Sequence, residues 1–218
     1  MRLLALPFLP LALLAALSAQ DDPAKALKSK DVSARLAALE SLSKEKNAKN
    51  EKLVVGALKD DDWEVAEKAA FVLETVGTAA SVPELVELAL EAPIARVRAT
   101  AAHAAAMLGA EGAAEMHSKK SGGKEGWRAL EALAVVTSTK DANYELKQLE
   151  KLAENAKDDR ARAFAAAAAV GATSAEKGEL FVKLATSAHA QVACAALEAA
   201  AKRPSAARIE PLAEVLLR

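Results

Sequence analysis

The sequence VAEKAAFVLETVG, residues 65–77, aligns without a gap on the sequence VRATAAHAAAMLG, residues 97–109. Both stretches carry apolar residues at offsets 0, 4, 7, 8 and 11 from the first valine and a glycine at offset 12. Those offsets fall on one face of an α-helix, so each stretch predicts an amphipathic helix that ends near its glycine. Two matching helices whose first residues lie 32 positions apart indicate a repeated structural unit.

The same pattern recurs along the chain, and the repeats start near residues 32, 65, 97, 127, 161 and 192. The fourth start is Trp127, where an apolar stretch follows the pattern with its register shifted by about two residues. Five units also hold a second apolar helical stretch, at residues 51–58, 82–90, 144–155, 178–186 and 209–217. No segment of residues 20–218 alternates with the period of a strand. We therefore predict an all-α protein, a right-handed α-solenoid of about six stacked helical hairpins.

The third unit departs from this plan. Its second helix is predicted to shrink to residues 113–117. The sequence SKKSGGKEG, residues 118–126, follows and contains three glycines and two adjacent lysines. Such turn-forming composition predicts a flexible linker.

Helix boundaries are marked by aspartate, glycine and proline. Carboxylates that can cap free backbone N–H groups stand before three predicted first helices, at Asp31, Asp60 to Asp62, and Asp158 to Asp159. Gly77 and Gly109 are expected to close their helices in a left-handed conformation, and Gly171 to do so one turn earlier in its repeat. Pro83 and Pro93 are expected in first helical turns.

These residues carry a family resemblance. The pattern Val-Arg-x-x-Ala-x-x-Ala-x-x-x-Leu-Gly, complete at residues 97–109, resembles HEAT repeats of the short bacterial type, which also occurs in phycobilin lyases. The resemblance extends over nearly all of residues 20–218 and implies a HEAT-like solenoid, with no indication of a substrate. The arginine after the first apolar position is present as Arg98 and Arg162, and as Arg128 in the shifted unit. Other residues replace it at Ser33, Ala66 and Ala193.

The first nineteen residues are typical of a cleaved signal peptide. Arg2 supplies a positive charge, residues 3–17 form an uncharged apolar run, and the small residue Ala19 is the expected cleavage position. The run is shorter than the roughly 20 residues that span a bilayer and contains Pro7 and Pro10, so retention as a membrane anchor is the less favoured alternative. We therefore expect an exported protein, periplasmic or secreted, without stable membrane insertion after cleavage.

Composition excludes several classes of protein. The formal net charge is −1, and no run of basic residues exceeds Lys119-Lys120, so the chain lacks the attraction to phosphates that a nucleic-acid-binding protein needs. Alanine makes up about a quarter of the residues, whereas aromatic residues make up 3%. That composition favours closely packed helices. The single cysteine, Cys194, excludes an internal disulfide.

Residues for catalysis or metal binding are scattered. His103, His117, His189 and Cys194 form neither a His-Glu-x-x-His nor a Cys-x-x-Cys motif. The sequence SGGK, residues 121–124, lacks the strand and helix that flank a phosphate-binding loop. We therefore predict no enzyme activity, no catalytic residue, no metal site and no cofactor. The histidines are expected at the surface or at helix caps, and Cys194 as a small packed side chain, with a reactive thiol as the alternative.

Two groups of residues are candidates for contact with a partner protein. Trp63 and Trp127 stand at the start of predicted first helices, at an edge of the solenoid, and exposed aromatic residues are typical of binding hot spots. The alternative is that each covers a turn between repeats. Glu84, Glu87 and Glu91 share one side of a second helix, where they form either an acidic stripe for a basic partner or an ordinary solvated face.

The C-terminal helix carries an apolar stripe of Leu212, Val215 and Leu216. An open solenoid end usually needs a polar cap, so this stripe either faces its own repeat or docks on a partner or a second copy. The oligomeric expectation is a monomer or weak self-association through this helix.

Together these features predict an exported, non-catalytic scaffold that presents a curved helical surface to an unidentified protein partner. The first alternative is a ligand carrier or a lyase-type enzyme related to the HEAT proteins among phycobilin lyases, which only the repeat type suggests. The second is a structural module that assembles end to end. A concave pocket rich in aromatic residues would favour the lyase-type reading, and a smooth charged groove would favour the scaffold.

Overall fold

A computed structural model describes residues 22–109, 126–139, 146–172 and 178–202, together with Glu210 and Ala213. Several expectations lie outside the described residues: the signal peptide at 1–19, the short helix at 113–117, the linker apart from Gly126, and nearly all of the C-terminal helix at 209–217.

Helices make up the regular structure of these ranges, in which no strand occurs. The first helices of the units, here named A helices, are α2 (Val32–Leu42), α4 (Trp63–Val76), α6 (Ala95–Leu108), α7 (Gly126–Thr139), α9 (Asp159–Ala172) and α11 (Ala190–Lys202). The second helices, named B helices, are α3 (Ala48–Ala57), α5 (Val82–Glu91), α8 (Leu146–Asn155) and α10 (Gly178–Ala185). A four-residue helix, α1 (Pro23–Ala26), precedes them, and a 3-10 helix (Ala79–Ser81) precedes α5.

The helices stack in two layers. The A helices pack in series, each against the next from α2 through α11. The B helices α3, α5, α8 and α10 each pack against the A helix of the following unit, namely α4, α6, α9 and α11. Each hairpin thus buries its apolar face against its neighbour, as the predicted all-α solenoid of stacked hairpins requires.

Alanine allows the A helices to approach closely. The alanines at offsets 4 and 7 of the repeat pattern are fully buried in three A helices, as Ala69, Ala101, Ala104, Ala165 and Ala168. The larger side chains of the core, such as Leu73 on α4 and Leu85 on α5, fill the space between the two layers. The predicted packing positions are confirmed at these sites.

Aspartates begin the helices where the sequence predicts them. The side chain of Asp31 accepts a hydrogen bond of 3.0 Å from the backbone N–H of Ser33, and that of Asp62 accepts one of 2.9 Å from Glu64. Asp158 accepts one of 2.8 Å from the N–H of Arg160. Each carboxylate satisfies a backbone donor that has no partner within the helix.

The predicted left-handed glycine caps are wrong. The backbone at Gly77 and Gly109 is extended, and Gly171 lies inside α9. Gly77 serves a different purpose, because a Cβ atom there would lie 2.5 Å from the carbonyl oxygen of Leu73 and 2.9 Å from Cδ1 of Leu108. Glycine at this position therefore permits the close approach of α4 and α6.

The two prolines differ. Pro83 lies in the first turn of α5, as predicted, where the missing N–H costs no helical hydrogen bond. Pro93 lies in the connection between α5 and α6, two residues before α6 begins, so its prediction is wrong. Its carbonyl oxygen instead accepts a hydrogen bond from Arg98.

Three arginines fasten A helices to the connection that precedes them. Each Nη1 donates to a carbonyl oxygen six residues earlier, at 2.8, 3.0 and 2.7 Å, in the pairs Arg35 to Ser29, Arg98 to Ala92 and Arg162 to Ala156. Ala92 and Ala156 directly follow α5 and α8, so two of these arginines satisfy carbonyl groups at the end of a B helix. Arg35 takes this role in the first unit, where Ser33 occupies the position expected for the arginine.

None of the helices in the described ranges combines the length and the apolar composition that crossing a membrane requires.

Candidate functional site

Four successive A helices share a groove of about 560 Å³. Its floor is made mostly of alanine, with Val135, Phe164 and Gly171, and the alanines are Ala95, Ala99, Ala134, Ala163, Ala167, Ala195 and Ala199. Polar side chains border it, namely Arg96, Glu131, Gln191, Glu198 and Lys202. We name this surface the A-face groove.

The helical period explains how the sequence builds this surface. On α11 the lining residues follow one another at intervals of three, one, three, one and three, from Gln191 to Lys202, and so occupy one stripe of the helix. Val192 and Ala196 lie on the opposite, buried stripe. Small residues on the groove stripes of α6, α7, α9 and α11 leave room for another chain to approach the helices.

Arg96 stands at the α6 border of the groove. Its guanidinium forms two hydrogen bonds with the carboxylate of Glu67 on α4, at 2.6 and 2.5 Å, and Thr100 Oγ1 donates a third to that carboxylate at 3.2 Å. The hydrogen bond from Arg96 holds the pKa of Glu67 below its ordinary value, and Glu67 in turn raises the pKa of Arg96. The Arg96 side chain remains 69% exposed, so it is accessible to a partner.

Trp63 is the first residue of α4 and is 38% exposed. The guanidinium carbon of Arg96 lies 5.1 Å from the centre of its ring, within the range of a cation–π contact. Trp63 therefore continues the exposed surface beyond Arg96. Its predicted place at the exposed start of a first helix agrees with the structure.

Trp127 has a different environment. It is partly buried, its ring stacks on Phe164 of α9 with centroids 6.3 Å apart, and the planes are inclined by 20°. Three guanidinium groups lie around the ring at 5.2, 5.5 and 4.4 Å from its centre, those of Arg98, Arg128 and Arg160. Trp127 thus covers the junction of α6, α7 and α9, which is the alternative considered from the sequence. It also contacts Phe164, which belongs to the floor of the A-face groove.

Both tryptophans are joined to the start of α6. Arg96 lies over Trp63, whereas Arg98, two residues later, lies over Trp127. The sequence indicated where the tryptophans stand but not that arginines from one helix connect them. The run Arg96-Val97-Arg98 at the start of an A helix is the signal that would have pointed to this arrangement.

The three candidate glutamates lie on α5, in the B layer, apart from the groove-lining A helices. Glu87 and Glu91 are exposed and Glu84 is partly buried. Glu87 forms an exposed ion pair of 3.8 Å with Lys59, and two shallow hollows of about 270 and 310 Å³ lie beside the stripe. The ion pair places a cation against the stripe, which makes it less uniformly acidic than the sequence indicated.

The histidines lie apart from one another. His103 on α6 has Nδ1 2.8 Å from a carboxylate oxygen of Glu74 on α4, so it helps to join two A helices at the surface. His189 is exposed just before α11, and its carbonyl oxygen accepts a hydrogen bond from Val192. His117 lies outside the described residues. Within the described ranges, no three His, Cys, Asp or Glu side chains lie close enough to share a metal ion.

The prediction that Cys194 is packed is wrong. Its thiol is exposed and lines the A-face groove. Val192 and Ala196, two residues away on either side, occupy the buried positions of α11. Because two residues correspond to about half a helical turn, Cys194 points away from the core.

Comparison with known proteins shows which repeat family part of the chain is similar to. Residues 50–116, which contain α4 to α6 and most of α3, match the family model of HEAT repeats. No curated protein sequence shows a significant match to the chain. Among solved structures, the chain is similar to one described as the complex of CpcE and CpcF of phycocyanin lyase from Nostoc sp. PCC7120, with 24% identity and a TM-score of 0.49 over 89% of this chain and 80% of that one. The family model therefore confirms the resemblance to HEAT repeats over residues 50–116.

Proposed function

We propose that the chain is an exported, non-catalytic scaffold that binds a segment of a protein partner in the A-face groove. The observation that carries this proposal is the continuity of the groove across α6, α7, α9 and α11. A surface that crosses several repeats suits an extended segment, because successive residues of the partner meet successive helices. The partner itself is unidentified.

The lining of the groove supports a protein partner. A floor of alanine offers apolar contact without blocking the approach of another backbone, and the border carries both charges, with Arg96 and Lys202 opposed by Glu131 and Glu198. An apolar floor with a polar border is the usual composition of a protein interface. Among the described residues that line it, Phe164 is the sole aromatic one, which favours the scaffold over a site that encloses a planar chromophore.

The decisive experiment is native mass spectrometry of the chain recovered gently from its own producing cell. We expect a stoichiometric protein partner on the unaltered chain. Ala167→Arg places a long side chain on the groove floor and should remove the partner, whereas Ala37→Arg, at an exposed position of α2, should retain it. Equal retention by both variants would exclude the groove as the binding surface.

Trp63 is proposed as a contact at the edge of this surface. Its ring is exposed and lies beside Arg96, which borders the groove. Trp63→Ala should weaken binding of the captured partner about tenfold or more, as for an aromatic hot spot. An unchanged affinity would restrict Trp63 to covering the turn before α4.

Export is proposed from residues 1–19 alone. N-terminal sequencing of the chain recovered outside the cytoplasm should begin at Gln20. A chain that keeps residues 1–19 would indicate an anchor instead.

A ligand carrier or lyase-type enzyme is the second candidate, because the Cys194 thiol opens into the same groove. A groove of about 560 Å³ has the volume of a small-molecule site. The same mass spectra test this reading. A small molecule retained by the unaltered chain and lost from Cys194→Ser would favour it over the scaffold.

A further inference from the structure

A second cavity lies at the other end of the described structure. It has a volume of about 410 Å³ and is formed between the segment of α1 and the outer face of α3. Its apolar lining consists of Ala24, Leu27, Leu53, Gly56 and Ala57. We name it the N-terminal pocket. It shares no residue with the A-face groove.

Gly56 keeps this pocket open. It lies in the last turn of α3, where glycine is less favourable than alanine for the helix. A Cβ atom at this position would meet no atom within 4 Å, so neither close packing nor backbone conformation requires a glycine here. Because Gly56 lines the cavity, a large side chain at this position would take up part of its volume.

The border of the pocket is positively charged. Lys28, Lys49 and Lys52 line it, are exposed, and form no ion pair with another described residue. The one carboxylate among the described residues of the lining, Asp60, is already bound by Arg35, whose Nη2 donates to it at 2.9 Å. Three lysines therefore border an apolar cavity whose described lining offers them no carboxylate that is not already paired, and an anion at its mouth would supply a counter-charge.

We propose that the N-terminal pocket binds a free long-chain carboxylate, with the alkyl chain against Leu27, Leu53 and Gly56 and the carboxylate among the three lysines. Burial of the alkyl chain against the apolar lining lowers the free energy of the complex, because apolar surface is removed from water. The volume of the pocket lies in the range of small-molecule sites. The charge of the lysines selects an anionic over a neutral head group. This site is independent of the partner groove, so its test does not depend on the proposed function.

The test is calorimetric titration of the purified chain with laurate, below the concentration at which laurate forms micelles, and with dodecanol as the neutral analogue of matched chain length. We expect one laurate per chain. Gly56→Phe fills the cavity and should reduce laurate affinity at least tenfold, whereas Gly56→Ala should retain most of the binding. The double variant Lys49→Gln/Lys52→Gln should weaken laurate about three- to tenfold and leave dodecanol unchanged.

Several outcomes would overturn the proposal. They are absence of laurate binding, equal binding by the Gly56→Phe and unaltered chains, and equal effects of the lysine variant on laurate and dodecanol. Size-exclusion chromatography with light scattering completes the test. A chain that dimerises and becomes monomeric on Gly56→Phe, without binding laurate, would assign the pocket to a second copy. Circular dichroism shows whether Gly56→Phe folds. If it does not, the affinities of the double lysine variant for laurate and for dodecanol decide whether the proposal stands.

Discussion

The guanidinium of Arg98 and the carboxylate of Glu131 meet in two hydrogen bonds, of 2.6 and 3.2 Å, that join α6 to α7. Residues 109–125 separate these helices along the chain. The pair is therefore a direct side-chain connection between two units that are well separated in sequence. Arg98 is 5% exposed and also donates to the carbonyl oxygens of Ala92 and Pro93. One side chain therefore holds the end of α5, the start of α6 and the face of α7 together.

Removing Arg98 should destabilise the fold strongly. Arg98→Ala leaves Glu131 and two carbonyl groups without their donor in a poorly hydrated site, and we expect a loss of about 3–5 kcal/mol in the free energy of unfolding. Arg98→Lys should recover only part of this, because an ammonium group cannot make the paired bonds of a guanidinium. Urea denaturation followed by circular dichroism measures both. Arg96→Lys, on the exposed side of the same turn, is the control and should leave the free energy of unfolding almost unchanged.

Glu51 should give the stability a dependence on acid pH. Burial raises the pKa of Glu51, but hydrogen bonds from Ser81 Oγ at 2.6 Å and from Thr78 Oγ1 and N, both at 2.8 Å, outweigh this effect and hold the pKa below its ordinary value of 4.5. A lowered pKa in the folded state means that ionised Glu51 stabilises the fold above pH 4.5. That contribution is lost as pH falls through the lower folded value.

Glu51→Gln isolates this contribution. At pH 7 we expect the variant to be less stable by about 1 kcal/mol, because a neutral amide accepts these bonds more weakly than a carboxylate. The difference in melting temperature between the two chains should shrink towards zero as pH falls from 4.5 through the lowered pKa of Glu51. A difference that stays constant from pH 7 to pH 3 would show that the charge of Glu51 does not matter.

Gly77 and Gly109 should respond differently to alanine although they occupy the same position in the repeat. A methyl group at Gly77 meets Leu73 and Leu108, so Gly77→Ala should cost about 1–3 kcal/mol. A methyl group at Gly109 meets no atom of the described residues within 4 Å, and its extended backbone accepts any residue, so Gly109→Ala should be nearly neutral. Thermal melts of the two variants provide the comparison. Equal costs would contradict the close approach at Gly77.

Ala101 tests the packing between A helices. It is fully buried in α6, which packs between α4 and α7. Ala101→Arg should separate these helices and lower the melting temperature by several degrees, since overpacking of a core costs about 1–3 kcal/mol or more. Ala99→Arg, on the partly exposed groove stripe of the same helix, is the matched control and should melt close to the unaltered chain.

Cys194 should react with a maleimide in the folded chain, because its thiol is exposed in the A-face groove. Mass spectrometry should show one label per chain under native conditions, at a rate similar to that in denaturant. Protection of the native thiol would place it in the core after all. Slower labelling when the captured partner is present would in addition support binding in the groove.

The sequence predicted the helices and their order because large apolar residues such as Val65, Leu73 and Val97 recur with the helical period. Such residues have to be buried in the core. It did not predict the groove. Alanine occupies both the buried and the partly exposed stripes of α6 and α9, for example at Ala101 and Ala99 on α6, so the pattern of hydrophobicity cannot distinguish them. The surroundings of Trp127 were also beyond sequence reasoning, because they come from Phe164 and Arg160 in another unit.

The alanine floor of the A-face groove also determines the thermodynamics of its occupation. An alanine side chain has no rotamers, so the alanines of the floor lose no side-chain conformational entropy when another molecule covers them. The packing of the A helices determines the shape of the floor, so the floor does not have to change its conformation on binding. A rigid segment of matching shape should therefore bind with little entropic penalty on this side of the interface, and most of that penalty should fall on the occupant.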